Sequence, residues 1–370
     1  MNTTLWDRSQ DKDKDTTDIV SIPPDTSRQK TDLLRAKNQI DPVYVGWNDI
    51  KSRVHDYEYV YVSSNPRNNI ADRIPVSRSY FKLKEMVQAC QIPYTRDMVA
   101  VCLAEAPGGF IQFLREENME QVHGITLVSE DERVPYWNRM LLRDPMITFH
   151  TGFAKDGDLY NLRNILSFVR DIGAGTVDLV TGDGGFDASN DYDHQEANSC
   201  KLIYSEVFLA LLLQKVGGSF ICKIFDTFEP PTLAILDVLR QCYSHVSLYK
   251  PCISRNSNSE KYVVCKGFQG YSTDLMNTLT RHFEDTRIPL KAHRTFLQRA
   301  ITYTTTYTEQ QIHSIEKGLQ MVREGTELKH IKQKQKGPYR SIGPTRHQVT
   351  LAKQWCQTYN VPINWRCHYL

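Results

Sequence analysis

The sequence predicts an α/β fold: a mostly parallel sheet covered by helices on both faces, followed by a helical C-terminal part. Between residues 99 and 242, short apolar runs alternate with stretches of helical period, the pattern of successive βαβ units. The last two apolar runs, 246–249 and 262–268, have no helical pattern between them, so they are expected to pair antiparallel. After Gly270 the pattern becomes helical.

Residues 1–40 hold seven Asp against seven Lys and Arg and few apolar residues, which reads as a polar, flexible arm. Residues 57–62 alternate well enough for a strand. In 81–92, Leu83, Met86, Val87 and Cys90 share a helix face. The alternating block then gives strands at 99–104, 122–128, 147–150, 177–181 and 219–225. Helices are expected up to 114, over 159–169, over 194–215, and from the Pro230-Pro231 pair to 242; proline is tolerated in a first helical turn. With the final pair, the expected sheet has seven strands. Beyond it, Thr308-Glu309-Gln310-Gln311 has the form of a capping box, and Ile312, Ile315, Leu319 and Val322 follow at helix-face spacing. The expected division is an arm at 1–40, an α/β domain at 41–270 and a helical, basic extension at 271–370.

The chain has 370 residues, 40% of them apolar, a formal net charge of +2 and a mean hydropathy of −0.47. That length supports a sizeable core. The longest apolar run, 207–213, has seven residues, far short of the roughly 20 a membrane helix needs. The N-terminus has no apolar stretch of the kind a secretory signal requires. Nine scattered cysteines, none in a CxxC pair, argue against a disulfide framework or zinc site and for a reducing intracellular compartment. The HExxH, GxxxxGK[ST] and GxSxG patterns are absent. The small net charge conceals an uneven spread, because residues 328–370 carry eight Lys and Arg and no acid.

Two signals carry chemistry. The first is Ala106-Pro107-Gly108-Gly109-Phe110, after a strand and opening a helix, where glycines and free N–H groups suit close approach by a ligand; an ordinary βα turn would look the same. GxGxxG, the dinucleotide pattern, is missing. The second is a set of polar groups at element ends. Lys82 lies early in a helix, Asp183 just past the 177–181 strand, Lys223 inside the apolar run 220–225, and Glu260 just before 262–268. Ligands of open parallel sheets bind at the carboxyl ends of strands. A lysine in an apolar strand is costly unless paired, though it could snorkel.

In order, Ser77-Arg78-Ser79-Tyr80-Phe81-Lys82-Leu83, Ala106-Pro107-Gly108-Gly109-Phe110, Asp178-Leu179-Val180-Thr181-Gly182-Asp183, Gly217-Gly218-Ser219-Phe220-Ile221-Cys222-Lys223 and the segment from Lys250-Pro251 through Ser254-Arg255 to Glu260 and Val264 resemble the FtsJ/RrmJ-type RNA ribose 2′-O-methyltransferases. The resemblance spans about residues 73–268. Gly124-Ile125-Thr126-Leu127 and Val134-Pro135-Tyr136-Trp137 look closest to the members found in large DNA viruses and among mRNA-cap enzymes. It implies a Rossmann-like fold, S-adenosyl-L-methionine as methyl donor, no metal, and a catalytic Lys82–Asp183–Lys223–Glu260 tetrad. Lys223 would be the base, its pKa lowered by burial and by Lys82. Asp183 would orient Lys223 and favour the cationic donor, and Glu260 would hold Lys82. Donor contacts are implied for Glu105, Ala106, Pro107, Gly108, Gly109, Phe110 and Asp183. The family often has an acid where this chain has Cys102, and Glu105 is expected to take part of its role. Glu130 and Asp131 are the candidates for the donor ribose, Glu130 the preferred one, and Asp156 and Asp158 for the adenine, Asp156 first; the two aspartates could equally be a turn and a cap.

The implied substrate is RNA, first the capped 5′ end of mRNA. Arg73, Arg78, Lys332, Lys334, Lys336 and Arg340 are candidate phosphate contacts. Tyr339, Trp355, Tyr359, Trp365 and Tyr369 are interleaved with the basic residues, and aromatic faces stack on bases; Trp355 and Cys356 could instead pack in a small core. Tyr44, Trp47, Tyr57, Tyr59 and Tyr61 could cradle a cap base, but core packing is the better reading. Ribosomal-RNA methylation and a non-catalytic RNA-binding subunit on the same fold are the alternatives. Cap enzymes invite association with other capping or transcription factors, in cytoplasm or nucleus, or in a virion or viral factory for a viral member.

Overall fold

A computed structural model of the chain describes residues 2–9, 19–20, 25–185, 194–332 and 343–370. Its strands are β1 (Asn2–Asp7), β2 (Ile19–Val20), β3 (Val99–Leu103), β4 (Gln121–Ile125), β5 (Ile147–His150), β6 (Val177–Gly182), β7 (Gln214–Ile224), β8 (Tyr243–Tyr249), β9 (Lys261–Phe268) and β10 (Ala292–His293). Its α-helices are α1 (Ser27–Asn38), α2 (Tyr44–Ile50), α3 (Ser79–Ala89), α4 (Gly109–Glu116), α5 (Leu162–Ile172), α6 (Gln195–Leu213), α7 (Pro230–Cys242), α8 (Thr273–Arg281), α9 (Arg294–Lys332) and α10 (Arg346–Thr358). The chain forms two compact units: 1–25, 76–251 and 260–304 make the first, and 26–75, 252–259 and 305–370 make the second.

The first unit is built on an eight-stranded sheet of order β1-β8-β9-β7-β6-β3-β4-β5. Strands β7, β6, β3, β4 and β5 are parallel neighbours. Their runs are apolar on both faces because helices cover both faces: Val101, Leu103, Leu179, Val180, Phe220 and Ile221 are all 0% exposed. The strand β9 pairs antiparallel with both β7 and β8, as two apolar runs joined without a crossover helix require.

The sheet has one strand more than expected. Within the stretch read as a flexible arm, β1 pairs antiparallel with β8, Asn2 opposite Tyr249 and Asp7 opposite His245. Only Leu5 and Trp6 give it an apolar anchor, and backbone pairing along β8 supplies the rest. Helix α1 also lies within that stretch, in the second unit.

The second unit has its own core. Trp47 of α2 packs on Gly318, where an added Cβ would lie 2.4 Å from the indole. Tyr59 meets Tyr369 edge-on at 5.3 Å, and Arg255 Nε donates to the buried Glu58 carboxylate at 2.9 Å. The expected strand at 57–62 is corrected here: residues Glu58–Val60 form a 3-10 turn. All three are buried, so the alternation that suggests a strand face is not the burial pattern. The expected capping box at 308–311 is corrected as well. Thr308 and Gln311 lie inside the continuous helix α9, where the Gln311 amide donates to the Ser257 carbonyl at 3.3 Å. The capping box that forms is Thr345–Gln348, opening α10. There the Thr345 hydroxyl accepts the Gln348 N–H at 3.1 Å and the Gln348 side chain accepts the Thr345 N–H at 3.0 Å.

Candidate active site

Strands β3 and β6 are adjacent and parallel, so their carboxyl ends deliver two turns side by side. The first is Ala104 to Gly109. Gly108 takes φ +109°, a left-handed conformation open to glycine, and its N–H closes the turn on the Glu105 carbonyl at 3.0 Å. Gly109 serves a different purpose. A Cβ there would lie 2.1 Å from Ser79 Oγ and 2.8 Å from the Tyr80 backbone nitrogen. The glycine pair therefore does more than open a ligand turn: it lets α4 start against the first turn of α3, the helix that carries Lys82. Gly109→Ala is expected to force those helices apart, costing about 1–3 kcal/mol as overpacking does, with Ser79→Ala recovering part of the loss; thermal denaturation of the single and double variants measures both.

The sequence-predicted tetrad comes together within the first unit. Lys82 Nζ lies 2.7 and 2.8 Å from the two Glu260 oxygens. Lys223 Nζ donates to the Asp183 carbonyl at 2.7 Å and lies 3.3 Å from its carboxylate. All four side chains are largely buried, at 11–14% exposure. The pairing of Lys82 with Glu260 and of Asp183 with Lys223 is the one expected from the resemblance.

Two electrostatic findings sharpen this picture. Burial raises the Glu260 carboxyl, but Lys82, Lys223 and Lys250 outweigh it and hold it well below the usual range. For Lys223 the expected lowering is corrected. Burial pulls its pKa down, yet the carboxylates of Asp183, Glu260 and Glu206 together hold it above the ordinary lysine value. The acids around it thus favour its ammonium form.

The structure adds groups that the sequence pattern did not single out. Tyr262, buried in β9, donates its hydroxyl to the Asp183 carboxylate at 2.7 Å. Lys250 is buried and donates to the Glu260 carbonyl at 2.7 Å, closing the base of the loop between β8 and β9. Burial, the Lys261 cation and Lys82 push Lys250 down to about 7 against the pull of Glu260. Glu206 lies beneath the Asp183 turn. Strand alternation places Tyr262 two residues beyond Glu260 on the same face, a signal available in the sequence. Glu206 shows only as an acid at the head of an apolar helical run.

Cys102 is wholly buried, with its thiol pushed well up by burial. Glu105, three residues on, is 2% exposed. Its Oε1 accepts the Phe110 N–H at 2.6 Å at the start of α4, while Oε2 is buried with no hydrogen-bond partner among the described residues. Burial, reinforced by Asp183, pushes this carboxyl well above the usual range. A buried carboxyl oxygen left without a partner beside a second acid suits a cation, which would draw the group towards its charged form, and S-adenosylmethionine carries both an ammonium and a sulfonium. The residues present therefore fit that donor. Phe110 is fully buried, with Ala106 and Pro107 in the turn before it.

The remaining candidates are less gathered. Glu130 is exposed on the loop after β4. Asp156 accepts the Asn164 amide at 2.6 Å and the Asp158 N–H at 3.0 Å, and its carbonyl accepts the Val128 N–H at 2.6 Å. Asp158 accepts the Tyr160 N–H at 2.8 Å. Both side chains thus do the work of a turn, one that is tied to the end of β4. Arg78 stands at the N-terminus of α3 in the first unit, and Arg73 is exposed in the second. Lys332 ends α9, and Lys334, Lys336, Tyr339 and Arg340 lie outside the described residues. Among the C-terminal aromatics, Trp355 is buried, whereas Trp365 is 76% exposed. No group of three or more His, Cys, Asp or Glu able to hold a metal occurs among the described residues, and no described helix is long and apolar enough to cross a membrane.

A mostly parallel sheet with an antiparallel end, a glycine-opened helix after its central strand and acids clustered at the strand ends define a Rossmann-like methyltransferase fold. Residues 75–268, just over half the chain, match the FtsJ-like methyltransferase family, and the chain belongs to that family. Membership implies S-adenosylmethionine as methyl donor. Among its relatives, a cap-specific mRNA (nucleoside-2′-O-)-methyltransferase 1A of Caenorhabditis briggsae is 31% identical over 192 residues, covering 48% of this chain and 22% of that protein. A cap-specific mRNA (nucleoside-2′-O-)-methyltransferase 1 of Leishmania braziliensis is 33% identical over 184 residues, covering 48% of this chain and 46% of that protein. A Caenorhabditis briggsae protein described as an inactive cap-specific mRNA (nucleoside-2′-O-)-methyltransferase 1B is 32% identical over 172 residues, covering 44% of this chain and 20% of that protein. The chain thus spans less than half the length of each of these relatives.

Proposed function

We propose that this chain is an S-adenosylmethionine-dependent RNA ribose 2′-O-methyltransferase acting on the capped 5′ end of mRNA. The observation that carries the proposal is the buried pairing of Lys223 with Asp183 and of Lys82 with Glu260 at the carboxyl ends of the sheet strands. S-adenosylmethionine, when bound, supplies an electrophilic methyl group. Glu105, Asp183 and the turn from Ala106 to Phe110 would hold it, with Glu130 at its ribose and Asp156 at its adenine. Lys223 removes the proton of the attacking ribose hydroxyl at Nζ, and to do so it must first lose its own. Asp183, fixed by Tyr262, keeps Nζ in place. Lys82, clamped by both Glu260 oxygens, orients the hydroxyl and offers a cation beside the base. Because the surrounding acids favour the ammonium form, methyl transfer is expected to speed up towards alkaline pH.

The relative described as inactive is as similar as the others, so identity alone does not separate catalysis from RNA binding. The intact ion pairs favour catalysis, because an RNA-binding subunit has no use for buried lysines at the sheet ends. Arg73, Arg78, Lys332, Lys334, Lys336 and Arg340 are assigned to RNA phosphates, with the exposed Trp365 available for stacking. The nine free thiols suit a reducing compartment. Incubation with methyl-labelled donor and capped RNA, uncapped RNA or ribosomal-RNA fragments tests the reading. The expected outcome is label on capped RNA, mapped by mass spectrometry to a ribose 2′ oxygen. Label confined to the ribosomal fragments would reassign the substrate, and RNA bound without label would support a binding subunit.

A further inference from the structure

Glu206 sits on α6 directly before the apolar run 207–213 and is 0% exposed. A carboxyl group so placed is costly unless its oxygens are held. Both are held, on the two elements that carry Asp183 and Lys223. Oε1 accepts the Gly184 N–H at 3.3 Å, and Oε2 accepts the Cys222 thiol at 3.2 Å. A Cβ at Gly182 would lie 2.9 Å from the carboxyl carbon, and one at Gly184 would lie 2.7 Å from Oε1. The backbone on either side of Asp183 therefore rests on this one group, which also grips the residue before Lys223.

We propose that Glu206 is a positioning residue for methyl transfer: it holds the Asp183–Gly184 turn and β7 in register from beneath, and its charge acts on Lys223. The inference rests on the reading of Lys223 as the base. The groups facing Glu206 are Asp183 from the turn after β6, Cys222 and Lys223 from β7, and Tyr160 from the segment before α5. Lys223 is faced by Asp183, Glu260, Glu206 and Glu105, by Cys222 beside it on β7, and by Lys82 of α3, which shares the Glu260 carboxylate with it. Burial pushes Glu206 up to about 8, opposed by the Cys222 hydrogen bond and by Lys223. Lys223 is held above the usual lysine value, so where it gives up its proton Glu206 is already an anion. That anion strengthens the hold on the proton. Removing the charge must ease the release of the proton and shift the working range to lower pH.

Glu206→Gln keeps an oxygen for Gly184 and removes the charge. Glu206→Asp keeps the charge and shortens the reach. The measurement is the single-turnover methylation rate against pH, with S-adenosylhomocysteine titration as a check of folding. For Glu206→Gln the rising alkaline limb is expected to move to lower pH by roughly one unit. For Glu206→Asp the limb is expected to stay and the plateau to fall by roughly tenfold or more, as a small misplacement of reacting groups does. A limb unmoved in Glu206→Gln, or a wild-type plateau in Glu206→Asp, overturns the proposal, and the Asp variant decides alone if the Gln variant does not fold. Lys223→Ala separates the two layers. If it stays active, the assignment of the base fails; if it is inactive while both Glu206 variants behave as wild type, only the present inference fails.

Discussion

Lys223→Met is expected to lower methyl transfer by about 10²–10⁴-fold, the range that a general base contributes, while S-adenosylhomocysteine still binds. Methionine is unbranched and fits an apolar strand, so β7 keeps its packing between β6 and β9. Asp183 loses its ammonium partner but keeps the Tyr262 hydroxyl. Single-turnover rates and ligand titration on the same preparation separate the chemical step from binding. Lys223→Arg makes the sharper test. Arginine preserves the cation beside Asp183 but does not give up its proton in a protein, so a base role predicts that it is as inactive as methionine. If Lys223 only steers charge, the arginine variant retains most of the rate.

What the sequence disclosed depends on how local each signal is. The central strands are continuous apolar runs because both faces are covered, and each run can be read without knowing its neighbours. Strand β1 cannot be read that way. Its polar residues pair with Tyr243–Tyr249, more than two hundred residues away, and nothing within 2–7 announces that partner. At 57–62 the alternation is real but has no sheet beside it. The Thr308–Gln311 pattern is a valid cap that α9 overrides, because Gln311 is engaged with the 257–259 loop instead. The tetrad is legible as motifs, and its pairing is what the family resemblance implies. The direction of the Lys223 shift is not legible in the sequence. An apolar strand suggests a lowered pKa, and the reversal comes from acids on three other elements, Asp183, Glu206 and Glu260, that only the folded chain brings to it. Glu105 lies between these cases: it is visible in the sequence as an acid near the missing one, but its buried oxygen without a hydrogen-bond partner among the described residues is seen only in the folded chain.

Glu260→Ala is expected to destabilise the first unit by about 3–5 kcal/mol, the cost of stripping one partner from a buried ion pair. Lys82 is 13% exposed and bonds both Glu260 oxygens, so the alanine variant leaves its largely buried ammonium without its counter-ion. The pH dependence has a definite sign. The folded protein holds the Glu260 carboxyl below its ordinary value through Lys82, Lys223 and Lys250, which outweigh burial. Its contribution is therefore complete above the unfolded value of about 4.3 and is lost as pH falls through the lowered folded value. Wild type and variant should thus differ most near neutral pH and converge in strong acid, as measured by denaturant unfolding across that range. The double variant Lys82→Met with Glu260→Ala closes the cycle. Removing both charges is expected to recover part of the lost stability, because an apolar pair replaces the buried Lys82–Glu260 pair at little cost while Lys223 and Lys250 still lack the carboxylate. Methyl transfer is not expected to recover, since the cation proposed to orient the hydroxyl is gone. Stability and activity then part company, which a purely structural Lys82–Glu260 pair would not allow.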